Sequence, residues 1–297
     1  MPRSRPPAAP LERSAAPSPV FPHLQPEQNL VFDVGMNDGA DSAYYLSRGY
    51  RVVAVEANPI LAKEAEERFA AELADGRFAV ANVGIADHEG EAEFWVCDDW
   101  SAWSSFDREI AGRNGKAHHA ETVRLKTMSW LLGEYGMPYY CKVDIEGHDQ
   151  YCLQGLSGES HPSFMSVELS EYPFLDEMHS LGYDRFKMIH QLSFSSVNGR
   201  WYMRRAHVPN EKARAGLERV RGALQGALND GRWYFKIGSS GPFPTITPGP
   251  WLTYEEMAAI RQWVDDRYKA GDFCLLDCFD LHATTAAEVD AVASRAG

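Results

Sequence analysis

From residue 29 onward, short apolar runs alternate with longer stretches in which apolar residues return every three or four positions. "NLVFDVG" (29–35), "YRVVAVEANP" (50–59) and "RFAVANVGIAD" (77–87) are rich in β-branched and aromatic residues and end in Gly, Pro or Asp, which predicts buried strands. Between them, "DGADSAYYLSRG" (38–49) suits a helix closed by Gly49. Asn58 caps a second helix, with Pro59 at its first position and Leu61, Ala65, Phe69 and Leu73 on one face. Shorter strands at 91–97 and 121–125 flank the polar loop "DDWSAWSSFDREIAGRNGKAHHA", which is longer than a connection requires. A helix capped by Thr127, the strand "PYYCKVD", a helix from about Asp149, the strand "SFMSVELS" (163–170), a helix with Phe174, Leu175, Met178 and Leu181, and the strand "YDRFKMIHQ" follow. Strands alternating with helices predict βαβ units, hence a doubly wound α/β domain with a parallel sheet covered on both faces.

The two ends differ from this rhythm. Eight of the first 26 residues are proline, mixed with Ala, Ser and Arg, so 1–27 are expected to be a disordered arm ahead of a domain at 28–205. Residues 206–297 are expected to form an α-rich C-terminal appendage: a helix capped by Asn210, a Gly/Pro/aromatic segment (231–251) and a helix opened by the capping box Thr253 to Glu256. The piece 273–283 is a candidate last strand. Segment 231–251, with Trp233, Tyr234, Phe235, Phe243 and Trp251, is expected to be a substrate lid or wall; a packing strap or an oligomer interface are the alternatives.

Charge and cysteine usage narrow the function. Forty-two acids against 29 bases give −13, which repels phosphate backbones and makes nucleic acid an unexpected partner. The five cysteines have neither CxxC nor zinc-ligand spacing and read as buried thiols of a cytoplasmic protein. No apolar run reaches the roughly 18 residues that span a bilayer, so no membrane partner is expected.

In open α/β sheets ligands bind beyond the carboxyl ends of the strands. The first such turn reads Asp33-Val-Gly35-Met36-Asn37-Asp38-Gly39, where Asp38 and Asp41 crowd the helix start that a pyrophosphate would need to find positive. D-x-G-x-x-x-G suits S-adenosylmethionine instead: glycines admit close approach, and Asp33 offers a carboxylate to an ammonium. Glu56, 21 residues after Gly35 at the end of the second strand, can accept from two ribose hydroxyls. The expected cofactor residues are Asp33, Gly35, Met36, Asn37, Gly39, Glu56 and Ala57, with Asn82 and Val83 flanking the adenine.

With "KVDIEGHDQYCLQGL" added, residues 29 to about 200 resemble the FkbM family of S-adenosylmethionine-dependent methyltransferases. The resemblance implies a Rossmann-like class I methyltransferase sheet and O-methyl transfer to sugar or polyketide hydroxyls. It implies that Asp33, Gly35, Gly39 and Glu56 hold the cofactor and that Asp144 and Glu146 face the transferred methyl group. The chain departs from the family pattern at Ala57, Ser129 and His148.

A hydroxyl is a weak nucleophile at neutral pH, and a general base of pKa near ~7 helps it attack. Asp144, Glu146, His148 and Asp149 crowd one strand end, where mutual repulsion and burial raise a carboxylate's pKa. The expected roles are orientation for Asp144 and proton acceptance for Glu146 or His148; for Asp149 a structural role at a helix start is expected. Ser104, Ser105, His190 and Trp233 are weaker substrate candidates, and no spacing motif supports a metal. The expected acceptor is a carbohydrate or related small metabolite, and a second copy of the chain is a further candidate partner. A non-catalytic S-adenosylmethionine-binding scaffold, or another reaction on the same fold, are the competing readings.

Overall fold

The computed structural model describes residues 29–191, 193–197, 233, 235, 239–271 and 278–296. The expected arm at 1–27, the helix from Asn210 and six residues of 231–251 (231, 232, 234 and 236–238) lie outside the described residues.

Five strands run parallel: β1 (Leu30–Val34), β2 (Arg51–Val55), β3 (Phe78–Ala81), β7 (Tyr140–Val143) and β8 (Phe164–Glu168). Between β3 and β7 the chain makes β4 (Gly84–Ile85), β5 (Gly90–Cys97) and β6 (His118–Lys126), which form a separate sheet of order β4-β6-β5. The third run expected at 77–87 therefore serves two sheets: β3 ends at Ala81, and Gly84 and Ile85 pair with Leu125 and Lys126. After β8 come β9 (Arg185–His190), β10 (Ser195–Ser196) and β11 (Phe279–Thr284), and the main sheet has the order β10-β9-β11-β8-β7-β1-β2-β3. This is a doubly wound α/β sheet of the Rossmann-like class.

β11 was expected in an appendage resting on the sheet, but it is hydrogen-bonded antiparallel between β8 and β9. All six of its residues are buried, so the end of the chain completes the sheet from within.

Helices cover both faces because each strand buries alternate side chains on opposite sides. One face holds Val31, Val52, Tyr140 and Phe164 under α1 (Ala40–Ser47) and α2 (Pro59–Arg68), whose Tyr44, Tyr45 and Ala65 join that core. Phe243 stacks there on Tyr50 at 5.1 Å, so residues around it act as a strap over the sheet. The other face packs Phe32, Val34, Val143 and Val167 against α5 (Met128–Tyr135), α6 (Phe174–Ser180) and α7 (Tyr254–Lys269). The remaining α-helices among the described residues are α3 (Ala70–Ala74), α4 (Arg108–Ala111) and α8 (Ala286–Ala296).

Local sequence signals explain the helix starts. The Asn58 side chain accepts from the Ile60 N–H with Pro59 at the first position, Thr127 accepts from Trp130, and Thr253 and Glu256 form the reciprocal capping box. The helix expected from Asp149 is only one 3₁₀ turn (Asp149–Cys152). Its acid turns backward, accepting from the Ile145 N–H at 3.0 Å and the Gly147 N–H at 3.1 Å, and so fastens the preceding loop instead of extending a helix. Among the described residues no helix is long and apolar enough to cross a membrane.

Candidate active site

A crevice opens past the carboxyl ends of β1, β2 and β7, lined by the turns that leave them and by loop 101–106. It encloses about 890 Å³ between the atoms, counting the part open to solvent. The first turn is built from left-handed residues, Gly35 (φ 82°), Asn37 (φ 51°) and Gly39 (φ 71°). A Cβ on Gly35 would stand 1.8 Å from the Asp144 carbonyl oxygen, so this glycine is required by the neighbouring strand end as well as by its φ.

Glu56 joins the first two turns. Its carboxylate accepts from the Asn37 N–H and the Asn58 N–H, both at 2.8 Å, and each oxygen keeps a lone pair for a further donor. Burial pushes its pKa up to about 7 against the pull of those two donors. Asn82 stands behind it, its amide donating to the carbonyls of Glu56 (2.8 Å) and Ala57 (3.2 Å). Met36, Asn37, Ala57 and Val83 line the crevice with Glu56. Ser101 donates to the Asn37 side chain at 2.7 Å and ties the loop over the turn.

Asp33 corrects the sequence reading. It is completely buried, accepts from Ser42 at 2.6 Å and sits 3.2 Å from the Lys142 ammonium. The ammonium it serves belongs to the protein.

Lys142 opens the segment that carries the family resemblance, yet the sequence gives it no role, because one lysine inside an apolar strand resembles an ordinary edge residue. Its Nζ lies 3.2 Å from Asp33, 3.9 Å from Asp41 and 3.9 Å from Asp144, and donates to the Gly35 carbonyl at 2.9 Å. Burial alone would depress its pKa, but the carboxylates of Asp33, Asp144 and Asp41 raise it well above the ordinary lysine value. Burial lifts Asp41 to about 6 despite Lys142, and it accepts from the Ser239 hydroxyl and the Ser240 N–H of the strap. Ser239 thereby reaches the crevice wall.

The turn after β7 carries the expected reactive acids. Burial raises Asp144, with Lys142 opposing, and Glu168 hydrogen-bonds to it. Glu168 and Asp280 are themselves raised well above normal by burial, and Gln191 donates to Asp280 at 2.8 Å. Glu146 has φ 52° and faces the crevice. Burial lifts its pKa to about 7 while Arg113, 2.9 Å away, pulls it down.

The remaining candidates separate. His148 does not line this crevice: its Nδ1–H donates to the Ile85 carbonyl at 3.1 Å, and its ring stacks on Phe106 at 4.5 Å, which puts Phe106 in the crevice wall in its place. Ser104 lines the crevice and accepts from the Cys97 N–H at 3.1 Å. Ser105 is buried outside it, donating to the Glu146 carbonyl at 2.7 Å and so fixing that backbone. His190 is a core residue beside Ser193 (2.8 Å), and the Trp233 ring packs 5.6 Å from Tyr44. Neither is in the crevice wall.

Among the described residues, five carboxylates (Asp38, Asp41, Glu56, Asp144 and Glu146) and a single ammonium, Lys142, line the crevice. That balance repels a phosphorylated nucleotide and favours a cation.

No curated protein matches the chain. Similar solved structures include the FkbM methyltransferase of Methylobacillus flagellatus KT (18% identity, TM-score 0.31, covering 48% of this chain and 33% of that one). Others are a TehB-like SAM-dependent methyltransferase of Corynebacterium glutamicum (10%, 0.31, 57% and 73%) and precorrin-6y C5,15-methyltransferase of Geobacter metallireducens (9%, 0.33, 60% and 77%). The chain thus spans about a third of the FkbM structure's length. The family model of the methyltransferase FkbM domain matches residues 33–191, more than half of the sequence, and the chain belongs to the FkbM methyltransferase family.

Proposed function

We propose that the protein transfers a methyl group from S-adenosylmethionine to a hydroxyl of a carbohydrate or related small metabolite. The observation that carries this reading is the crevice wall, in which carboxylates outnumber ammonium groups five to one among the described residues and a carboxyl of pKa about 7, Glu146, faces the space. The residues present fit this cofactor: Glu56 has lone pairs free for hydroxyl donors, and the acids at the start of α1 suit a ligand without phosphate. When bound, the cofactor supplies an electrophilic methyl group on a positive sulfur. Glu146 then accepts the hydroxyl proton as the oxygen attacks, and Arg113 holds its carboxylate in place. Asp144, fixed beside Lys142, contributes the negative field beneath the reacting centre. Met36, Ala57 and Val83 supply apolar wall.

The test has two arms. Isothermal titration with S-adenosylmethionine, its demethylated product and NAD measures cofactor choice; binding of NAD alone would remove the cofactor assignment. Assay of a hydroxyl-acceptor panel by release of the demethylated product then measures the chemistry. Cofactor binding without turnover on any acceptor would favour the scaffold reading.

A further inference from the structure

A second cavity adjoins the crevice, enclosing about 760 Å³ between the atoms by the same measure. Two side chains, Phe106 and Glu146, line both spaces, so the expected proton acceptor stands in the partition. The far walls are Trp95, Tyr151, Gln150 and His148, which present aromatic surface beside hydrogen-bonding groups. That combination suits a hydroxylated ring, whose C–H face packs on an aromatic while its hydroxyls meet polar atoms.

The charges of this cavity are not balanced alike. Glu146 is matched by Arg113, and Asp107 spends its carboxylate on the Glu109 N–H at the start of α4. Arg108 has no carboxylate partner among the described residues. It lies over the Trp95 ring at 4.8 Å and donates from Nε to His118 Nε2 at 3.3 Å. The other nitrogen of that imidazole is 3.0 Å from the Lys116 carbonyl, which can only accept, so Nδ1 carries the proton and Nε2 receives from Arg108. An aromatic ring and an imidazole therefore hold the guanidinium with no carboxylate beside it among the described residues, and its charge stays available on the rim in a chain of net charge −13.

The geometry points to this second cavity as the acceptor chamber, with Arg108 selecting a hydroxylated acceptor that carries an anionic group, a carboxylate or a phosphate. The assignment rests on the methyltransferase reading above. Methyl donor and acceptor then approach from the two adjoining spaces and meet beside Glu146.

The experiment uses the full chain loaded with S-adenosylhomocysteine and follows glucose, glucuronate and glucose 6-phosphate by saturation-transfer NMR and thermal shift at millimolar concentration. Glucuronate or glucose 6-phosphate is expected to bind more tightly than glucose, and whichever binds identifies the anion. Arg108→Gln should weaken that binding about ten-fold or more, the equivalent of one charge-assisted hydrogen bond, while S-adenosylhomocysteine affinity stays unchanged. Arg108→Lys should restore part of it, more for phosphate than for carboxylate. Failure of S-adenosylhomocysteine to bind removes the methyltransferase reading and this assignment together. Binding of S-adenosylhomocysteine with no preference for an anionic probe, or with a preference that Arg108→Gln leaves intact, overturns the assignment alone.

Discussion

The crevice contains two carboxylate–cation pairings that differ in depth. At the floor, Lys142 is 2% exposed and is held by three aspartates and a backbone carbonyl. At the wall, Glu146 meets Arg113 with both side chains partly open to solvent. A buried ion cluster keeps its charges because each has a partner in a medium of low dielectric, and removal of one leaves the others uncompensated. A partly solvated pair can exchange protons and partners at modest cost. Burial therefore assigns the deep cluster to architecture and leaves the wall pair free for chemistry.

That contrast can be broken experimentally. The largest effect is expected from Lys142→Met, which strands Asp33, Asp41 and Asp144 at the crevice floor without their cation. It should cost about 3–5 kcal/mol of stability, read from urea unfolding, and abolish cofactor binding with it. A stable, binding-competent variant would show that the cluster is not structural.

Next comes Glu146→Gln. It should lower kcat by roughly 10²–10⁴-fold with cofactor affinity and thermal midpoint nearly unchanged, because it removes a proton acceptor and little else. His148→Ala supplies the control and should leave cofactor affinity intact.

Arg113→Gln sharpens the comparison further. Arg113 pulls the Glu146 pKa down, so its loss raises that pKa and moves the acid limb of the pH–rate profile to higher pH. Turnover should fall several-fold at neutral pH and recover at alkaline pH. Loss of rate independent of pH would mean that the arginine serves folding alone.

The smallest effect is a slope. Glu56 and Glu146 stand at about 7 in the folded chain against an ordinary 4.5, and Asp41 and Asp149 stand at about 6 against 3.8. Folded-state values above the unfolded ones mean that the folded chain holds more protons between them. These groups therefore stabilise fully below about 4, and their contribution is lost as pH rises through 6 to 7. The thermal midpoint should be higher at pH 6 than at pH 8, a difference measurable by calorimetry; the reverse slope would contradict the raised pKa values.

Much of the fold is legible residue by residue. Asn58-Pro59 and Thr253-x-x-Glu256 declare helix starts through hydrogen bonds closed within three residues, and the structure keeps both. Asp149 misled for the same local reason: an acid at a strand–helix junction reads as a helix start, yet its hydrogen bonds run back to Ile145 and Gly147. Within the site, Glu56 and Glu146 were legible from their place at strand ends, whereas Arg113, Arg108 and Phe106 were hidden in a loop whose pattern carries no period.

The sequence alone determined the alternation of strands and helices through most of the α/β domain, the glycine turn after β1 and the acidity of the strand ends, because hydrophobic period and turn chemistry act over a few residues. The tertiary structure alone decided which charge meets which. Lys142 and the Gly35 carbonyl stand 107 residues apart, and no local pattern records that the ammonium filling the first turn comes from the strand beside it. The same holds for His148, which sequence proximity placed with the acids and ring packing placed behind Phe106. Long-range electrostatics and packing leave their record in space, since their partners are chosen only when the sheet closes.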